Sequence, residues 1–270
     1  MKASLLDVLR CLECKNKSFS LEKHEDDGME IRKGRLKCNH CGAMYGIEDG
    51  IIDFLNNAEE AVRRERKAMD DDEYITDEKG HRFKITNETI ELFKDKFLSL
   101  PEGDGSYFFK RGGSFQNIAE GSARFYATLD YLNLRGSERI LEIGACFSSS
   151  SFNFAKKGCR VAALDISNYL KASNVFVKKA YFDRIFSDMH NMPFADDAFD
   201  IVFASAALHH SKDLKAVFEE IRRVIKPGGR VILINESARG IFEKTHPVYK
   251  EMNDKGFGDT CYTLSEWKKG

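Results

Sequence analysis

The chain has 270 residues, with 42 Lys and Arg against 43 Asp and Glu, a formal net charge of −1, and 42% hydrophobic and 31% charged residues. That size supports one sizeable core plus a small accessory domain, and the balanced charge excludes a global pull toward nucleic acid or an anionic membrane while leaving room for a local basic patch. No apolar run approaches the roughly 20 residues needed to cross a bilayer, and Asp7 interrupts the apolar start, so a cytoplasmic protein without a membrane partner is expected.

Seven cysteines in a reducing compartment do not read as a disulfide framework. Four are spaced as metal ligands: Cys11 with Cys14, and Cys38 with Cys41, form two C-x-x-C knuckles separated by 23 residues. Each knuckle can point two thiolates at one tetrahedral ion, the arrangement of structural zinc. A redox C-x-x-C is the competing reading, but paired knuckles in a segment with few core residues favour the metal. His24 and His40 are bystanders, because four thiolates already fill the shell. Around the knuckles, residues 18–21 and 35–37 can pair as strands, and residues 44–47 connect through Glu48, Asp49 and Gly50 to a further strand at 51–55.

This segment resembles the Trm112-like family, the small zinc-ribbon partner of tRNA, rRNA and release-factor methyltransferases. Its sequences end in Tyr-x-Ile-x-Asp-Gly-Ile, as Tyr45, Ile47, Asp49, Gly50 and Ile51 do here. With 9 Lys and Arg against 10 Asp and Glu in residues 1–55, it does not read as a basic RNA clamp. The resemblance implies a stabilising knob docked on an enzyme, or a module that helps hold a macromolecular substrate. On that reading Cys38→Ser unfolds residues 1–55 and leaves the rest nearly intact.

Residues 57–83 form the boundary: opposite charges at helical spacing over 59–67 predict a solvated helix, and the acids at 70–73 a loop. Ile90, Leu92, Phe93 and Phe97 mark a helix within 86–98 that Pro101 ends. The aromatic, basic, glycine-rich stretch 106–115 reads equally as a lid or as an anchor between helices. Ile118, Phe125, Leu129 and Leu132 mark one more helix.

Residues 139–165 organise the remainder. Ile140, Leu141 and Ile143 form a strand that ends at Gly144, a helical pattern follows through Phe152, Phe154 and Ala155, and a second strand closes on Asp165, 21 positions after Gly144. A strand, turn, helix and strand ending in an acid is the adenosine site of a doubly wound sheet. Aligned on G-x-G-x-x-G, only Gly144 remains; Cys146 and Ser149 replace the others, which weakens a dinucleotide reading because pyrophosphate needs backbone contact at the second glycine. The pattern, beginning Leu141, Glu142, Ile143 and Gly144, resembles the class I, type 11-like S-adenosylmethionine-dependent methyltransferases. The resemblance continues through residues 187–194, a strand over 198–203, Leu208, His209 and His210, an amphipathic helix over 214–225, a stop at Lys226, Pro227, Gly228 and Gly229, and a fifth strand over 230–235.

That resemblance implies an α/β fold: a Rossmann-like sheet of order 3-2-1-4-5, lacking its C-terminal hairpin, with a β-rich zinc ribbon in front. The expected divisions are 1–56 for the ribbon, 57–114 for a helical linker and lid, and 115–270 for the methyltransferase domain. It further implies S-adenosyl-L-methionine held by Glu142, Gly144, Ala145 and Cys146 at the methionine end, Asp165 and Ile166 at the ribose, Asp188 and Met189 at the adenine, and Ser205 nearby. The competing roles are a helix cap for Asp165 and a turn for Asp188. His209 and His210 are candidate bases for a hydroxyl or acidic-carbon nucleophile, or capping and packing residues.

After the fourth strand the chain has Ala204, Ser205, Ala206 and Ala207, not the Asn/Asp-Pro-Pro-Tyr/Phe of enzymes that methylate planar amino or amide nitrogens. A small-molecule or tRNA/rRNA-type acceptor with an oxygen, carbon or carboxylate nucleophile is expected. A non-catalytic adaptor that binds RNA or protein is the alternative from another class, and a nucleotide-dependent oxidoreductase a second. Thr263 and Glu266 form a capping-box pattern that starts a helix near the last residue. The fifth strand is then an open apolar edge, so a longer gene product or self-association through that edge is expected.

Overall fold

The computed structural model describes residues 1–55, 58–72, 74–77, 79, 81–100, 115–240, 250, 253–254 and 260–269, with the backbone alone at 72, 74, 76 and 115–120. A 3-10 helix, Ala3–Val8, leads into the first knuckle, and four strands follow: β1 (Phe19–Asp26), β2 (Ile31–Cys38), β3 (Met44–Glu48) and β4 (Ile51–Asp53). The expected β1–β2 pairing is present, with Ser20 opposite Lys37 and Leu21 opposite Leu36. Asp49 and Gly50 make the β3–β4 turn at φ of 52° and 76°; two left-handed residues give a hairpin turn whose twist matches its strands.

Next come α1 (Glu60–Asp72), β5 (Tyr74–Thr76), β6 (Arg82–Lys84), α2 (Asn87–Leu92), α3 (Lys94–Leu98) and α4 (Phe115–Leu132). Helix α1 runs on through the acids expected to form a loop, because Lys67 pairs with Asp71 at 2.7 Å one turn away. The 106–115 stretch lies almost wholly outside the described residues. Thr86 caps α2 by accepting the Thr89 N–H.

The remaining elements are β7 (Arg139–Ile143), α5 (Ser149–Lys156), β8 (Arg160–Asp165), α6 (Asn174–Val177), β9 (Asp183–Phe186), β10 (Phe199–Ser205), α7 (Leu214–Val224), β11 (Ile225–Ile234), β12 (Ala238–Arg239), β13 (Tyr262–Thr263) and α8 (Leu264–Trp267). The parallel strands lie in the order β9-β8-β7-β10-β11, the expected 3-2-1-4-5. Lys226, Pro227, Gly228 and Gly229 do not separate helix from strand; they form an irregularity inside β11, whose register jumps between Ile225 and Arg230. The capping box at Thr263 and Glu266 is formed.

The ribbon is part of this sheet. Strand β4 pairs in parallel with β9, Ile52 opposite Ile185 and Asp53 opposite Phe186, which makes one sheet of nine strands. The ribbon is therefore continuous with the sheet and not only docked on it. Alternation along β4 sends Ile52 to one core with Leu141, Ile143, Leu164 and α7, and Ile51 to the other with α4, α5 and α6.

Beside that junction Arg184, fully buried on β9, donates from Nη2 to both carboxylate oxygens of Glu30 at 2.6 Å. Burial alone would raise the Glu30 pKa, but Arg184, the Met1 ammonium and Arg32 together outweigh it and hold the carboxyl below its ordinary value. Gly50 passes so close to this pair that a Cβ there would strike Arg184 and Glu30.

Candidate active site

Strand β7, buried on both faces, delivers the chain to Gly144 at φ 69°. Glycine is needed for that angle and for space, since a Cβ would collide with the Cβ of Ala207. The Gly144 and Ala145 N–H groups donate to Leu164 O at 2.9 and 3.0 Å. Cys146 and Ser148 also take left-handed angles, 46° and 63°, so the turn curls its N–H groups toward the end of β8. There the Cys146 N–H donates to Asp165 Oδ2 and the Ser167 N–H to Oδ1, each at 2.7 Å. Burial raises the Asp165 pKa and these two N–H groups oppose the rise. Below the turn Glu142 is buried, accepts the Ser151 hydroxyl, and is pushed up to about 7 by desolvation. Glu142, Gly144, Ala145, Cys146 and Asp165 thus meet in one place, with Ile166 packed just after them.

From β9 the Ser187 N–H reaches Asp165 O at 3.1 Å, which brings Asp188 and Met189 to the same rim. Asp188 Oδ1 accepts the His190 N–H at 3.0 Å and faces His190 Nδ1 at 2.7 Å; Oδ2 has no partner among the described residues. His190 Nε2 lies 2.8 Å from Ser211 Oγ. Burial would lower the His190 pKa, but Asp188 raises it above its ordinary value. Two buried hydroxyls at this rim, Ser148 Oγ and Ser187 Oγ, have no hydrogen-bond partner among the described residues. Buried donors are rarely left so unless a ligand or water completes them.

Strand β10 ends at Ser205, whose Oγ accepts from Asn235 Nδ2 at 2.9 Å. His209 and His210 follow on one short turn with ring centroids 4.5 Å apart. Glu236, just past β11, organises that turn. It accepts the Ala207 and Leu208 N–H groups at 2.8 and 2.9 Å through Oε1, and His209 Nδ1 at 3.0 Å through Oε2. Burial would raise its pKa, yet His209 and those N–H groups keep it below the ordinary range. A carboxylate only accepts, so His209 Nδ1 carries the proton and Nε2 of the neutral ring is an acceptor. His210 Nδ1 lies 3.6 Å from Glu65 of α1. Helix α1, expected as a solvated boundary, instead covers this rim, with Arg66 over the Phe186 ring at 4.6 Å.

Four groups here escape a reading of the sequence: Glu236, His190, Ser211 and Glu65. The signals are thin. Glu236 directly follows the fifth strand and His190 follows Asp188 by two residues, but nothing in their spacing names a partner.

At the far end of the ribbon the Sγ atoms of Cys11, Cys14, Cys38 and Cys41 all lie within 4.8 Å of one another. The pairs Cys11–Cys41 and Cys14–Cys38 are 3.6 and 3.5 Å apart, near the ~3.8 Å edge of a tetrahedron with Zn–S bonds of about 2.3 Å. Burial would push Cys38 up, but the N–H groups of Cys41 and His40 bring it down to about 7, as a metal-binding thiolate requires. The four cysteines fit a structural zinc ion. His24 pairs with Glu22 instead.

Residues 141–233 match the family model described as a methyltransferase domain, and residues 2–50 that of Trm112p-like protein. This chain joins the two domains. The methyl donor of such a domain is S-adenosyl-L-methionine, and the Trm112p-like part brings the zinc-ribbon cysteines. A sterol methyltransferase-like 3 protein of Botryococcus braunii is 23% identical over 255 residues, 88% of this chain and 64% of that protein. A demethylmenaquinone methyltransferase of Beutenbergia cavernae is 36% identical over 109 residues, 40% of this chain and 44% of that protein. The chain thus spans less than two thirds of either relative. A solved complex between the Haloferax volcanii Trm112 methyltransferase activator and a methyltransferase covers 56% of this chain and 68% of that one, at 19% identity and a TM-score of 0.45. No helix among the described residues is long and apolar enough to cross a membrane.

Proposed function

We propose that this chain transfers a methyl group from S-adenosyl-L-methionine to an oxygen, carbon or carboxylate nucleophile on a small molecule or an RNA side chain. The observation that carries the reading is Asp165: each of its oxygens takes one backbone N–H from the flanking turns and keeps lone pairs for a diol. In this reading Asp165 and Ile166 hold the ribose, and Glu142, Gly144, Ala145 and Cys146 surround the methionine end. The open Oδ2 of Asp188, with Met189, meets the adenine. Ser205 lines the site near the reacting carbon, and the unpaired hydroxyls of Ser148 and Ser187 support a polar ligand between the two turns.

When bound, the cofactor supplies a methyl carbon activated by a sulfonium, so positioning and proton removal are what the chain must add. His209 takes the acceptor's proton at Nε2, and Glu236 holds its tautomer and stabilises the imidazolium that results. His210 stacks beside it as the second candidate. The sterol and demethylmenaquinone acceptors in the relatives' names support a non-nitrogen nucleophile, as does the absence of the Asn/Asp-Pro-Pro-Tyr/Phe motif.

Calorimetry with S-adenosylhomocysteine tests the cofactor assignment. Asp165→Ala should weaken binding by about 1.5–3 kcal/mol, the value of hydrogen bonds to a charged group. An unchanged dissociation constant rules the ribose role out. Across an acceptor panel of phenols, carboxylates and acidic carbons, His209→Ala should lower turnover without changing cofactor affinity; wild-type turnover would make the ring structural.

A further inference from the structure

A cleft of about 530 Å³ opens at the amino ends of β7, β8, β10 and β11. Strand β7 has five residues at ~3.3 Å each, which puts this cleft some ~17 Å from the glycine turn, on the opposite edge of the sheet. Four cations line it, Arg135, Arg160, Lys226 and Arg230, against two carboxylates, Glu138 and Asp200. Those acids already have partners, Lys226 among them. Glu138 accepts the N–H groups of Arg135, Gly136 and Ser137 at 2.8 to 3.1 Å. Asp200 takes Lys226 Nζ at 2.7 Å and the Arg139 N–H at 2.8 Å. The guanidinium groups of Arg135, Arg160 and Arg230 form no ion pair among the described residues. At the rim stands Tyr131, 71% exposed.

We infer that this cleft binds the phosphates of a single-stranded nucleic acid, with a base stacked on Tyr131. Three unpaired planar guanidiniums in one concave site match phosphate oxygens in geometry as well as charge. An exposed aromatic ring beside them is the second half of a single-strand site, since every base offers a face for stacking. The chain's near-zero net charge does not oppose this, because the surplus is local. The site stands apart from the cofactor rim, so it holds whatever the methyl acceptor is.

Fluorescence anisotropy with a labelled oligouridylate of about 12 nucleotides tests it on the full chain. Wild-type protein should bind, with affinity falling steeply between about 50 and 200 mM salt. Arg160→Glu with Arg135→Glu should cost at least tenfold and flatten the salt slope by about 0.7 for each phosphate that is no longer neutralised. Tyr131→Ala should cost several-fold and leave that slope unchanged. S-adenosylhomocysteine binding should match wild type in all variants, which shows that they fold. Inorganic triphosphate displacing the oligonucleotide equally well with and without Tyr131 would reduce the site to a simple anion cleft and overturn the strand. So would polyglutamate binding as tightly, no oligonucleotide binding, or binding indifferent to the arginines.

Discussion

The five parallel strands have two flanks, finished in opposite ways. On the β9 flank the ribbon adds four strands, and the seam is sealed by a buried Arg184–Glu30 pair and by the Phe54 N–H donating to Phe186 O at 2.9 Å. On the β11 flank no further strand pairs among the described residues, and Val231 is 39% exposed. The difference teaches where the proposed cofactor rim is vulnerable. Asp188 and its neighbours follow directly from β9, so whatever loosens the ribbon reaches them; the β11 side is buffered by β10.

The largest effect should come from the seam itself. Glu30→Ala strands a charge inside the protein, and breaking a buried pair on one side costs about 3–5 kcal/mol. Urea unfolding should show that loss; a change under 1 kcal/mol, roughly the ceiling for surface pairs, would mean that Arg184 is not sealed. Next, Cys38→Ser should release zinc and also weaken S-adenosylhomocysteine binding by about tenfold, a shift of ~1.4 kcal/mol. This replaces the expectation that cofactor binding survives, because β4 and β9 share hydrogen bonds. Zinc-free protein with full affinity would restore an independent ribbon. Gly144→Ala forces a β-carbon into a left-handed angle and against Ala207, for a cost of about 1–3 kcal/mol by thermal unfolding.

A further effect is pH-dependent. Glu142 has a folded pKa of about 7 against 4.5 for the free group, so the folded chain holds its proton more tightly. Its contribution is complete below 4.5 and is lost as pH rises through 7. Glu142→Gln should remove that part of the stability decline, seen as a wild-type minus variant difference that changes across this window and is flat outside it. Smallest of all, Val231→Lys on the open flank should stay within about 0.5 kcal/mol of wild type. A larger loss would show that something covers β11.

Much of the architecture is legible in the sequence, for identifiable reasons. The succession of strand, turn, helix and strand follows from a glycine turn, an acid at the next strand end and helical spacing in between, all local patterns, and the strand order from the resemblance to the class I methyltransferases. The knuckles are legible because a metal demands ligands at fixed short spacing, and the Thr263–Glu266 cap because its two bonds span three residues. What stays hidden is long in sequence separation. Arg184 and Glu30 are 154 residues apart and Glu236 is 27 from His209; no periodicity encodes such partners. Helix α1 misleads for another reason: its charges suit water, yet Arg66 lays its guanidinium on Phe186 and Glu65 turns toward His210.

The parallel seam between β4 and β9 also sets a schedule for synthesis. Asp53 pairs with Phe186, 133 residues later, so at about 5–20 residues per second the ribbon waits roughly 7–27 s after it emerges before its partner strand exists. During that interval Ile51 and Ile52 sit on an open edge, the kind of surface that recruits the wrong strand. Within the ribbon, Arg32 already pairs with Glu30 at 2.7 Å and with Asp49 at 3.1 Å, so these acids have local partners before Arg184 exists. Glu30 thus has two successive duties: it pairs with Arg32 inside the ribbon, and then it also neutralises Arg184 in the finished sheet.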